Sequence, residues 1–93
     1  MPLFAITCKD KLGALETRLA TRPVHLDYLK ASTGLKLAGA LLGDDGNPVG
    51  SLLIVEADDL AAAQAQADND PFTVAGVFES VEVRAWRVAI GEV

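Results

Sequence analysis

Apolar residues fall along this chain in short runs, separated by clusters of turn-forming and charged positions. Leu3 to Cys8, with Phe4 and Ile6, reads as a buried strand. Asp10 stands where the next element needs a cap, and Leu12, Leu15 and Leu19 then recur at helical spacing. Thr21-Arg22-Pro23 interrupts that stripe. Proline has no amide to donate and collides with the preceding turn, so a kink or break is expected, with Thr21 a candidate new N-cap and Pro23 in the first turn. Leu26 and Leu29 carry the stripe on until Ser32-Thr33-Gly34 ends it. Leu35 to Leu42 and Ser51 to Glu56 read as strands. Gly43-Asp44-Asp45-Gly46-Asn47-Pro48 between them is dense in turn formers and makes the pair a hairpin. Asp58 or Asp59 opens an alanine-rich helix from about Leu60 to Ala67. Asp70-Pro71 starts a short turn or helix through Ala75. Val77 to Val88 supplies the last strand, where Val81, Val83 and Ala85 alternate against Glu82, Arg84 and Trp86.

The order strand, helix, strand, strand, helix, strand, with two right-handed crossovers, predicts an α+β domain of the ferredoxin-like, split βαβ type with an antiparallel sheet. Two helices cover only one face of such a sheet, yet both alternation phases carry apolar residues. Phe4 and Ile6 oppose Leu3 and Ala5 in the first strand; Leu35, Leu37 and Leu41 oppose Ala38, Ala40 and Leu42 in the second. Leaving the second face wet exposes a large apolar patch. Covering several hundred Å² is worth on the order of 10 kcal/mol before association costs, so a homodimer formed sheet to sheet is expected. The alternative cover, the C-terminal tail, is short.

Composition narrows the function classes. A chain of 93 residues is expected to form one domain, spanning 1–93. Half of it is apolar (51 %), which excludes a disordered chain. No apolar run approaches the roughly 18–20 residues that span a bilayer. The N-terminus has no basic leader and meets Lys9 and Asp10 too soon for a signal peptide, and the lone Cys8 has no internal disulfide partner, so a cytoplasmic location is expected. The formal net charge of −5 argues against a nucleic-acid partner, which needs clustered Lys and Arg.

The chain has one histidine, His25, and so one side chain whose ordinary titration lies near neutrality. It reads either as a helix-surface or half-buried residue with no task, or as a general acid or base. Arg22, His25 and Leu29 share a helical face, and Tyr28 lies three positions on. Asp70, before Pro71, fits an N-cap; it fits equally the orienter of His25, and a carboxylate has lone pairs enough for both. Ser51 at a strand start could donate to a substrate oxygen, but no Gly-x-Ser-x-Gly elbow makes it a nucleophile. Cys8 in an apolar strand reads as packed. One His and one Cys give no zinc spacing, and Asp44-Asp45-Gly46-Asn47 lacks the length and terminal Glu of an EF-hand. No glycine-rich phosphate loop is present, so neither metal nor cofactor is expected.

Taken in order, Arg22-Pro23-Val24-His25-Leu26-Asp27-Tyr28-Leu29, Gly39, Gly50-Ser51-Leu52-Leu53-Ile54, Asp70-Pro71-Phe72 with Gly76-Val77, and Val81-Glu82-Val83-Arg84-Ala85-Trp86 resemble the YciI-like family over nearly the whole chain. Ala40 and Ala85 depart from it, standing where proline is common. The resemblance implies a dimeric α+β barrel related to the muconolactone-isomerase type. It also implies a His–Asp pair in a pocket, which maps onto His25 and Asp70. Characterised examples of the family include a dehydrochlorinase acting on a chlorinated aromatic ring, but a family transfers no substrate by itself.

Two classes of function follow. One is a cofactor-independent lyase, dehydrochlorinase or isomerase acting on a small, cyclic, acidic or phenolic molecule, with His25 moving a proton, Asp70 orienting it, and Arg22, Tyr28, Ser51 and Phe72 binding substrate. The other is a dimeric module that binds a small molecule or serves as a partner subunit without catalysis. A third, blander reading leaves His25 and Asp70 as structural polar groups.

Overall fold

The α+β ferredoxin-like architecture follows from where the chain places its alternating strands. The computed structural model describes residues 2–93. Its elements are β1 (Leu3–Asp10), α1 (Leu15–Ala31), β2 (Leu35–Leu42), β3 (Pro48–Glu56), α2 (Leu60–Asp68), α3 (Pro71–Val74) and β4 (Phe78–Trp86). The four strands form one sheet in the order β2-β3-β1-β4, every neighbouring pair antiparallel.

The register assigns each face. Phe4 stands opposite Val55 and Ala85, Ile6 opposite Leu53 and Val83, and Cys8 opposite Ser51 and Val81. Phe4, Ile6, Cys8, Leu53 and Val55 are buried with Leu29 of α1 and with Ala63 and Ala67 of α2, so this is the face that the helices cover. The other face carries Leu3, Ala5, Leu37, Leu41, Leu52 and Ile54. A register shift between Leu35 and Leu37 separates these two leucines: Leu35 joins the helix side opposite Val55, while Leu37 pairs with Ile54 on the far side. The expected single phase of Leu35, Leu37 and Leu41 is corrected accordingly. The observed strands are Pro48–Glu56 rather than Ser51–Glu56, and Phe78–Trp86 rather than Val77–Val88.

The connections between elements fix where the strands and helices start. Asp59, not Asp58, caps α2, its carboxylate accepting from the Ala62 amide at 2.8 Å. Gly76, at φ 77°, turns the chain out of α3 and into β4, a conformation that a side chain would strain. Gly50 is required by crowding: a Cβ there would strike the Cys8 carbonyl oxygen of the adjacent strand.

Three expectations for the first helix are corrected. α1 runs unbroken for 17 residues through Pro23, and Thr21 lies within it rather than capping a new helix. An interior proline costs a helix about 3 kcal/mol, so tertiary anchors must offset it. Arg18 and His25, seven residues apart on one face, are both buried on opposite sides of Pro23 along the sequence and supply those anchors. Asp10 caps nothing: it ends β1, α1 starts only after Ala14 and without a side-chain cap, and the Asp10 carboxylate pairs with Arg18. The expected leucine stripe is only in part the buried face: Leu29 is buried and Leu15 and Leu26 half-buried, but Leu12 and Leu19 are exposed, and Arg18 and His25 take the other buried positions of α1. Among the described residues, no helix is long and apolar enough to cross a membrane.

Candidate active site

The site starts from Asp70. Pro71 sets the first position of α3 and gives up an amide that the helix start would leave unpaired anyway. Asp70 then caps this short helix, its Oδ1 accepting from the Phe72 amide at 2.9 Å. The same Oδ1 lies 2.7 Å from Nδ1 of His25, 45 positions earlier in the chain. Both residues are buried. A carboxylate only accepts, so the hydrogen of this contact sits on Nδ1, and in the neutral ring Nε2 is left as a bare acceptor. Capping and pairing therefore coexist on one oxygen atom.

Phe72 holds the ring from one face. It is 1 % exposed and stacks on His25 with centroids 3.8 Å apart and planes 14° from parallel. The Arg18 guanidinium carbon lies 4.6 Å from the centre of the same phenyl ring, a cation–π contact. Phe78 meets Phe72 edge-on at 5.9 Å.

Arg18 is the centre of a second buried polar group. Its Nη1 donates to both oxygens of Asp10, at 2.9 and 3.1 Å, and its Nη2 donates to Ser51 Oγ at 2.8 Å. The chain Asp10–Arg18–Ser51 thus ties β1, α1 and β3 together. Burial holds the Asp10 carboxyl above its ordinary range, outweighing the pull of Arg18 in the other direction. Burial likewise pushes the Cys8 thiol up to about 12, with the Asp70 charge adding to it. Cys8 is packed and protonated, not a nucleophile.

These groups border a cavity of about 370 Å³ between α1 and the β2–β3 half of the sheet, a size suited to a small molecule. Its polar lining is Arg18, Arg22, His25 and Ser51; Leu19, Leu26, Leu29, Leu53 and Phe72 supply apolar walls. No Asp or Glu lines it, although acidic residues outnumber basic ones 13 to 8 in the chain. Nε2 of His25 has no hydrogen-bond partner among the described residues, and none of their buried side-chain nitrogen or oxygen atoms is left unpartnered. Nε2 is therefore accessible, and the cavity that His25 lines is the space it meets.

Of the residues singled out from the sequence, His25, Asp70, Ser51 and Phe72 are brought together, and Arg22 reaches the cavity from an exposed position on α1. Tyr28 is not brought in. Its hydroxyl donates to the Gln66 carbonyl at 2.8 Å, fastening α1 to α2, and burial raises its phenol above the ordinary value. Arg18 and Asp10 are the residues that sequence reasoning missed. Arg18 lies two helical turns before His25 and so on its face, a signal hidden by the break expected at Pro23. Among the described residues, no group of three or more His, Cys, Asp and Glu side chains could hold a metal ion.

Comparison with known proteins sets this site in a family. The sequence matches the YCII-related domain over residues 2–87. The chain belongs to that family. Among YCII-related relatives, Protein YciI of Escherichia coli O6:H1 is 39 % identical over 94 residues, covering 91 % of this chain and 96 % of that protein. An uncharacterized protein of Haemophilus influenzae is 37 % identical over 93 residues, covering 90 % and 95 %. The chain is also similar in structure to the 5-chloro-2-hydroxyhydroquinone dehydrochlorinase TftG of Burkholderia phenoliruptrix, solved in complex with 2,5-dihydroxybenzoquinone. That match has a TM-score of 0.83 at 36 % identity and covers 91 % of this chain and 93 % of the other. A Mycobacterium tuberculosis protein at TM-score 0.60 and 11 % identity shares the fold alone.

Proposed function

We propose that this YCII-related domain is an acid–base enzyme, of lyase, dehydrochlorinase or isomerase type, working without a cofactor on a small, cyclic, acidic or phenolic molecule. The observation that carries the reading is the buried 2.7 Å contact of His25 Nδ1 with Asp70, which leaves Nε2 as the working nitrogen at the cavity. Nε2 takes a proton from the bound molecule and returns it to the product or to water. Asp70 fixes the ring and stabilises the imidazolium formed in between. The cationic and neutral polar lining suits an acidic ligand, and the similarity to a dehydrochlorinase solved with a dihydroxybenzoquinone supports a cyclic one.

The test is turnover of a panel of such molecules, beginning with 5-chloro-2-hydroxyhydroquinone and followed by chloride release. Positioned acid–base groups supply typically about 10²–10⁴-fold, and His25→Ala is expected to lose that factor on any compound the protein converts. Full turnover by His25→Ala would sink the enzyme reading and leave a binding module, whose signature is ligand binding without conversion. We further propose that the chain pairs with a second copy through the sheet face bearing Leu3, Leu37, Leu41, Leu52 and Ile54, since no helix covers it.

A further inference from the structure

The cavity differs from wall to wall. Its polar side chains come from α1 and β3, whereas β2 contributes Ala38, Gly39 and Ala40, none of which has a polar side-chain atom. Residues directly opposite in an antiparallel pair share a face of the sheet. Ala38 stands opposite Leu53 and Ala40 opposite Ser51, both of them cavity residues, so the two alanine methyls are on the helix side. Gly39, opposite Leu52, is on the far side. Elsewhere on the helix side Phe4, Ile6, Leu53, Val55, Val81 and Val83 pack into the core. Ala38 and Ala40 instead stay exposed, and so does Leu19, which lines the cavity from α1. Here the apolar surfaces of β2 and α1 are separated by the cavity rather than packed on each other.

The small size of two residues keeps that separation. The ordinary occupants of a strand are β-branched or aromatic, and at 38 and 40 they would fill the space. Alternate residues of a strand lie roughly 6.6 Å apart, so the wall floored by the two methyls is longer than a single atom. We infer that Ala38 and Ala40 are specificity-determining residues, and that the wall they build takes a short branched alkyl group carried on the ring of the ligand. The inference rests on the acid–base reading for the ring itself and adds the substituent. An alkyl group seated there takes apolar surface of its own and of the wall out of water. A polar substituent loses water in the same place and finds no side chain on β2 to replace it.

The probes are 2,5-dihydroxybenzoquinone and its 3-isopropyl derivative, and the quantity read is the ratio of their affinities by titration calorimetry on the full chain. Each buried carbon is worth about 4-fold, so the wild-type protein is expected to bind the isopropyl compound at least about 10-fold more tightly. Ala38→Val and Ala40→Val each put two further methyls into the space of the isopropyl group, and the ratio is expected to fall at least about 5-fold in one or both. Valine favours a strand, and both positions are exposed, so the fold is retained. Ala85→Val is the control. Ala85 stands opposite Phe4 on β4, exposed on the same side of the sheet but outside this cavity, and its variant should keep the wild-type ratio.

A wild-type protein that binds the two quinones equally, or binds neither, overturns the inference. So does a ratio that stays at the wild-type value in both Ala38→Val and Ala40→Val, or that falls as far in Ala85→Val. The acid–base reading fails separately, by full turnover in His25→Ala, which does not enter the affinity ratio.

Discussion

A single oxygen of Asp70 accepts from the backbone of α3 and from His25, so the residue that starts a helix also sets an imidazole tautomer. The cap was legible in Asp70-Pro71 because it rests on local chemistry, whereas the pairing joins residues 45 positions apart and followed from the family resemblance. Arg18 was not legible, since nothing in its neighbourhood distinguishes it from a solvated arginine; its burial depends on Asp10 and Ser51 from two different strands. Beneath this network, Cys8 gives a test of how dry the interior is. Its thiol is held at about 12 against an ordinary 9.0, chiefly by burial. A group whose folded value is raised binds its proton more tightly in the native state. Its stabilising contribution is complete below the unfolded value and is lost as pH climbs from there toward the folded one. Between about pH 8 and about pH 10.5 the wild-type protein should lose about 2 kcal/mol from this source. Urea unfolding at both pH values checks it: Cys8→Ala should flatten the decline, leaving the smaller same-sign contribution of Tyr28. An equally steep decline in Cys8→Ala would show that the thiol is not the titrating group.

At the scale of elements, the strands were readable and the first helix was not. Alternation in Val81-Glu82-Val83-Arg84 follows directly from a half-buried strand, and Asp59 before an alanine run follows from capping. In α1 the usual signals point the wrong way. Leu12 before it and Leu19 within it face solvent or the cavity mouth, while Arg18 and His25 take inward positions. A helix that turns two polar residues inward shows little apolar stripe, and Pro23 then reads as its end. The continuous helix is what lets Arg18 and His25 both reach Phe72, so the cost of an interior proline is borne where the site requires one rigid element. The shift between Leu35 and Leu37 was invisible for a different reason: an irregularity in pairing depends on the partner strand, not on the residues that bulge.

For the molecule as a whole, helices cover one side of the sheet; the β2–β3 half of the other side is apolar, while its β1–β4 half carries Thr7, Lys9, Glu82 and Arg84. Leu37 and Leu41 remain 43 % and 41 % exposed in the apolar half, and Trp86 on β4 39 %. The tail after β4 forms no helix or strand, and its Ile90 is almost fully exposed. A second copy of the same face matches this pattern in apolar character and symmetry. Light scattering on the purified protein should then give the mass of a dimer, and Leu37→Lys should shift it to the monomer by burying an unpaired charge. A monomeric wild-type protein, or a dimer indifferent to Leu37→Lys, contradicts pairing through this face. The cavity lies on the helix side of the sheet, so pairing through the far face would leave it open.

The central claim is that Asp70 holds His25 so that Nε2 is the nitrogen that works. Nitrogen-15 NMR of the imidazole tests it directly, since the chain has one histidine and the ring signals need no sorting. In the neutral ring the account predicts a hydrogen on Nδ1, in a strong hydrogen bond, and a bare Nε2. A neutral ring protonated at Nε2 would contradict it, because Nδ1 would then have no hydrogen to give Asp70.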